Sequence, residues 1–169
     1  MKTKLNTFNT IFFKILICIF ITNTSGCNQR VEVDLITNLM RFDSQKNSDD
    51  TLLRVYAVIP NQGCEGCISE AENFVITHAS LSESNVTYIF TKIQSLKVLK
   101  YKLGSKIYSL PNVKIDTANI IVFPKDENNI YPMFIYTQAN QINKIEYQSP
   151  NQNGLINLKS YLNSRHINK

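Results

Sequence analysis

Among its five glycines the chain has no phosphate-cradling loop, and its two histidines, His78 and His166, belong to no cluster of ligating side chains. The first absence removes glycine-rich nucleotide sites. The second removes histidine-rich metal centres and any serine and histidine arrangement in a recognisable motif. Lys14 and Asn23 bracket the apolar run near the amino terminus, which falls well short of the roughly 20 residues a spanning helix needs. Permanent membrane spanning is not expected. Basic residues outnumber acidic ones 18 to 13, yet no basic cluster is interleaved with aromatics as on nucleic-acid-binding surfaces. Much of the excess is also local. Residues 1–27 hold Lys2, Lys4 and Lys14 and no acid, so the rest of the chain has 15 basic and 13 acidic residues, a net charge of +2. No nucleic acid partner is expected.

What the amino terminus does hold is the order of a secretory signal. Lys2, Lys4 and Lys14 precede the apolar run from Ile15 to Ile21, and small and polar residues follow from Thr22 to Gly26. Thr24-Ser25-Gly26-Cys27 resembles the lipobox of bacterial lipoproteins, with Thr24 standing where that family usually has leucine. The resemblance implies cleavage before Cys27 and a lipid on its sulfur. It implies a membrane partner through that lipid, and a place in the bacterial cell envelope, facing the periplasm or the exterior. Ordinary cleavage that leaves a soluble protein is the alternative, but it favours an Ala-x-Ala-like site, and residues 1–27 contain no alanine. The expected division is a signal peptide over 1–26, a lipidated cysteine with a tether and a weak amino-terminal element over 27–50, and one domain over 51–169.

Within that domain the run from Leu52 to Ile59 is β-branched and aromatic and ends at Pro60-Asn61-Gln62-Gly63, which predicts a buried strand. From Glu65 to His78 the apolar residues Cys67, Ile68, Ala71, Phe74 and Val75 recur at spacings of three and four, the mark of an amphipathic helix. Val86 to Thr91 predicts a second strand, and Ser95 to Leu103 a second helix closed by Gly104. Strand, helix, strand, helix implies parallel pairing. Later, Met133–Tyr136 and Ile142–Tyr147 flank Ala139-Asn140-Gln141 as an antiparallel hairpin, and a last helix runs from Leu155 to Leu162. Tyr88, Phe90, Phe134 and Tyr136 read as core, and Asp116 as a solvated acid at a strand end.

Cysteine is scarce, and its placement is informative. Cys18 lies in the discarded apolar run and Cys27 would carry lipid, which leaves Cys64 and Cys67 with only each other. An exported compartment permits disulfides, so a reversible dithiol and disulfide pair is the first hypothesis. Cys64-Glu65-Gly66-Cys67 lies between a strand and a helix, which puts both sulfurs at a helix amino terminus. Unpaired amides and the helix dipole favour negative charge there and lower a thiol pKa from its reference of about 8.5. An inert staple is the plainer alternative, but closing so short a loop removes little chain entropy.

Strand, Cys-x-x-Cys, helix and a later hairpin led by a proline together resemble thioredoxin and membrane-anchored thioredoxin-like proteins, over about residues 52–165. The resemblance implies an α/β, thioredoxin-like three-layer fold with a central mixed sheet and helices on both faces. It implies that Cys64 attacks, that Cys67 resolves, and that Tyr131 and Pro132 form a substrate-binding loop with a cis-proline against the disulfide. An ordinary trans proline at a strand start stays open beside it. The reaction implied is thiol and disulfide exchange on exported protein thiols or disulfides, with no cofactor and no metal, reset by a further redox partner.

The chain also departs from that family. Gln62-Gly63 replaces the tryptophan-containing approach, Glu65-Gly66 replaces Gly-Pro, and no carboxylate stands in the strand before the motif. Glu65 places a negative charge beside the thiols, which would raise the pKa of Cys64 and make the couple slow or strongly reducing. Two alternatives use the same sulfurs. One is a lipid-anchored, non-catalytic binding module of the same fold. The other is a soft-metal carrier, because Gly63 to Cys67 also resembles the motif of small heavy-metal-binding domains and two thiolates suit Cu(I). His78 would not complete a zinc set, since at about 1.5 Å per residue it lies roughly 16 Å beyond Cys67 along one helix.

Overall fold

The computed structural model describes residues 26–43, 52–81, 85–124 and 127–167. The expected signal peptide, up to residue 25, lies outside the described residues. The chain divides into two units, Met1–Asp34 and Leu35–Lys169. Helix α1, Gly26–Met40, begins in the first and ends in the second. Residues 27–40, within the stretch expected as a tether and a weak element, are therefore helical. The alternation of Val31, Val33 and Leu35 suggests a strand, but the residues that reach the core are Leu35 and Leu39, 2% and 0% exposed. A spacing of four is one face of a helix.

The second unit continues with β1 (Arg54–Pro60), α2 (Glu65–His78), β2 (Val86–Thr91), α3 (Leu96–Tyr108) and β3 (Val113–Ile115). A short 3-10 turn, Glu127–Ile130, precedes β4 (Met133–Gln138), β5 (Gln141–Ser149), β6 (Gln152–Asn153) and α4 (Gly154–Ile167). The six strands form one sheet in the order β3-β2-β1-β4-β5-β6. β1, β2 and β3 pair in parallel, while β4, β5 and β6 pair antiparallel to their predecessors in that order. The fold is α/β with a mixed sheet and helices, an arrangement compatible with the thioredoxin-like one.

The apolar run of β1 is continuous because both faces of the central strand are covered. Val55, Ala57 and Ile59 point to a core shared with α2, α3 and α4, and Tyr56 and Val58 point to a second core with Leu35 and Leu39 of α1. Each buried valine, leucine or isoleucine among them stabilises the fold by about 1.5–3 kcal/mol. Ile120 to Phe123, apolar in sequence, forms neither helix nor strand. Ile121 and Phe123 fill the second core while Val122 between them is 51% exposed.

Two local features complete the frame. The β4–β5 connection is a two-residue turn whose central residues, Ala139 and Asn140, have φ of 50° and 59°. Positive φ at both positions is the type I′ geometry that matches the twist of paired strands. Gly104, with φ of 75°, interrupts α3, so the helix predicted to end there bends and continues to Tyr108. Among the described residues no helix is long and apolar enough to cross a membrane.

Candidate functional site

Parallel strands deliver their carboxyl ends, and the turns that follow them, to one end of the sheet. At the end of β1, Pro60 pairs with Thr91, and the Asn61 amide donates to the Thr91 carbonyl at 2.9 Å. Asn61 Oδ1 then accepts from the Gln94 amide at 3.2 Å, which ties the two turns together. Cys64 follows at the N-cap of α2, with extended backbone. Cys64 and Cys67 are joined as a disulfide with a Cα separation of 5.4 Å, ordinary for such a bond. Cys64 is half-buried and Cys67 is buried, so the first cysteine is the more exposed residue of the pair.

The N-cap position has a chemical consequence for the reduced pair. No side chain caps α2 through Cys64. An N-cap side chain is placed to accept from the N–H groups two or three residues on, here Gly66 and Cys67. A Cys64 thiolate would be that acceptor, favoured also by the helix dipole.

A third segment closes on the motif from the far half of the chain. The Cys64 amide donates to the carbonyl of Ile130 at 3.0 Å. Gly63 makes this approach possible. Its φ is +145°, and a β-carbon there would stand 2.9 Å from the Ile130 Cα and overlap the carbonyl. Tyr131 and Pro132 come directly after Ile130, whose carbonyl holds the Cys64 amide. The Tyr131 amide donates to the Asn128 carbonyl at 3.0 Å, and the Pro132 carbonyl accepts from the Gln148 amide at 2.9 Å. The expected cis bond at Pro132 is corrected: the peptide is trans. Pro132 leads into β4, a strand start that needs no donor from it, and trans is the lower-energy form of an ordinary X-Pro bond.

Lys92, one residue past β2, was not singled out from sequence. Its backbone has φ of 53°, its amide donates to Asn119 Oδ1 at 2.9 Å, and its Nζ donates to the Asn129 carbonyl at 2.8 Å. The ammonium lies 4.2 Å over the Phe123 ring, and burial lowers its pKa. Lys92 thus clasps the turn whose next carbonyl, that of Ile130, holds Cys64. Asp116 differs from the expected solvated acid: it is 1% exposed. It accepts from Thr91 Oγ1 at 2.9 Å and from the amides of Ile120 and Ile121 at 3.0 Å each, which fixes the loop over the second core. No sequence signal separates such an acid from a solvated one.

Two hollows border the junction. One, of about 570 Å³, is lined by Asn61, Gln62, Gly63, Glu65, Gln94 and Lys102 among others. The second, of about 230 Å³, is lined by Glu127, Asn128, Tyr131, Asn151 and Gln152 among others. Each contains three side-chain amides, Asn61, Gln62 and Gln94 in the first and Asn128, Asn151 and Gln152 in the second. Glu65 is exposed at the first hollow, while Glu72 of α2 is buried against Lys102. Cys27 lies in α1, and its side chain is outside what is described. Among the described residues no three His, Cys, Asp or Glu side chains gather as a metal site. Comparison with protein-family models, with curated proteins and with solved structures finds no match for the chain.

Proposed function

We propose that the protein is a thiol–disulfide oxidoreductase of thioredoxin-like type, acting on exported proteins through Cys64 and Cys67. The observation that carries this reading is the bonded pair at the N-cap of α2, more exposed at Cys64, with the Ile130 carbonyl docked on the Cys64 amide. In the reduced form the Cys64 thiolate attacks a substrate disulfide sulfur, forms a mixed disulfide and releases one substrate thiolate. Cys67 then attacks the Cys64 sulfur, releases the second substrate thiolate and restores the disulfide. Two electrons pass from the protein pair to the substrate, and a partner dithiol of lower potential returns them. With a substrate dithiol and the oxidised pair the same steps run in reverse.

The amide-lined hollows suit a protein substrate, because side-chain amides both donate to and accept from an extended backbone. A lipid on Cys27, following the lipobox resemblance, would hold the domain at a membrane of the cell envelope. Insulin reduction by the wild-type chain, with C64S and C67S as controls, tests the redox reading. Turnover is expected for wild type alone, and equal rates in all three chains exclude it.

A further inference from the structure

The charge of the chain is unevenly placed. Between Lys92 and Ile115 the sequence holds six lysines and no aspartate or glutamate. The remainder of the chain after Cys27 holds nine basic and thirteen acidic residues, so this stretch is strongly positive in an otherwise negative chain. Net charge conceals the segregation, and the helix displays it. Lys102 is engaged inward, donating to both carboxylate oxygens of Glu72 at 3.1 and 3.2 Å, and Lys92 is clasped on Asn129. Lys97, Lys100 and Lys106 of α3 are exposed, and their interleaving with Tyr101 and Tyr108 corrects the expectation that the chain has no basic cluster of that kind.

Leu99 and Leu103 fix the inward side of α3 at 0% and 3% exposure. Lys97, Lys100 and Tyr101, at spacings of three and four, share the opposite face. Tyr101 is 89% exposed, and Leu96 and Val98 nearby are 45% and 51% exposed. A merely solvated helix face gains from acids set three or four residues from its lysines, and this one has none. Lysines around a protruding aromatic ring match a headgroup layer, where the ring sits at the interface and the ammonium groups meet lipid phosphates.

We propose that the outer face of α3 docks on a bilayer surface carrying anionic lipid. The inference builds on the membrane placement given above, and it adds an orientation: α3 also lends Val98 and Lys102 to the larger hollow beside Glu65. Docking through this helix sets that hollow at the edge of the bilayer, facing substrates close to the membrane.

The chain has no tryptophan, so Y101W introduces a single fluorophore on the proposed surface. In the full chain its emission is expected to move to shorter wavelength on phosphatidylcholine–phosphatidylglycerol vesicles, to stay unchanged on phosphatidylcholine alone, and to revert in high salt. Each lysine near such a surface is worth roughly fivefold in partition, so K97Q and K100Q together should weaken the response roughly 25-fold. In the unaltered chain, Lys97, Lys100 and Lys106 should lose reactivity toward a water-soluble acylating reagent on anionic vesicles, while Lys159 keeps it. Unchanged emission on anionic vesicles, an equal shift on neutral ones, or a shift induced by an oligonucleotide or polyglutamate instead overturns the proposal. A C64S/C67S chain is expected to dock like wild type, so failure of docking and failure of the redox reading are separate outcomes.

Discussion

Two glycines flank Cys64, and the same substitution at each should move stability in opposite directions. At Gly63 the φ of +145° belongs to a region that only glycine occupies without strain, and an added β-carbon overlaps Ile130. Strain of this kind costs about 1–3 kcal/mol. Relieving the overlap also pulls Ile130 from the Cys64 amide, a bond of 3.0 Å worth about 1 kcal/mol. G63A should therefore destabilise the chain by about 2–4 kcal/mol. Gly66 lies in the first turn of α2, and a β-carbon there meets nothing within 4 Å. G66A replaces a poor helix former with the best one, so it should stabilise by a few tenths up to about 1 kcal/mol. Urea unfolding of the oxidised chains gives both values from one assay. Equal midpoints for G63A and wild type, or a loss at G66A as large as at G63A, would refute the packing of Ile130 on the motif.

Other expectations follow from single contacts. D116A removes the acceptor of three donors, two of them buried, and should cost about 3–5 kcal/mol, read as a lowered urea midpoint. K92M frees the Asn128–Ile130 turn without touching either cysteine, so hydrogen exchange at the Cys64 amide should accelerate by roughly tenfold or more. The Tyr56 hydroxyl is pushed from 10.0 up to about 12 by burial, then by Asp43. The folded state thus keeps a proton that the unfolded chain loses first, and stability that is complete below pH 10 falls as the pH rises through 12, by about 2–3 kcal/mol. Tyr136, raised by burial and then Glu146, adds to the same slope, so Y56F should flatten only part of the alkaline loss in a pH series of melting curves.

The elements legible in sequence were those whose pattern is local. Glu65–His78 and Val86–Thr91 stand where helical and strand periodicity placed them, and the hairpin turns at Ala139-Asn140. The amino-terminal helix was not legible, because alternating valines imitate a strand and only the burial of Leu35 and Leu39 decides the period. β3 was equally hidden: three residues gain their identity from pairing with Tyr88–Phe90, a partner distant in sequence. At the site, Cys64 and Cys67 announced themselves by spacing. Lys92, Asp116 and the Ile130 carbonyl did not, because their roles arise from loops that only the closed sheet brings together. The trans isomer at Pro132 depends on the path of its loop and not on residue type.

The most direct measurement is a trapping experiment on the two sulfurs. Reduced C67S, mixed with a disulfide-bonded protein, should accumulate a mixed disulfide through Cys64, resolved by mass spectrometry, and reduced C64S should form far less through the buried Cys67. Adducts of equal yield at both positions, or none at Cys64, would contradict the assignment of an attacking and a resolving sulfur.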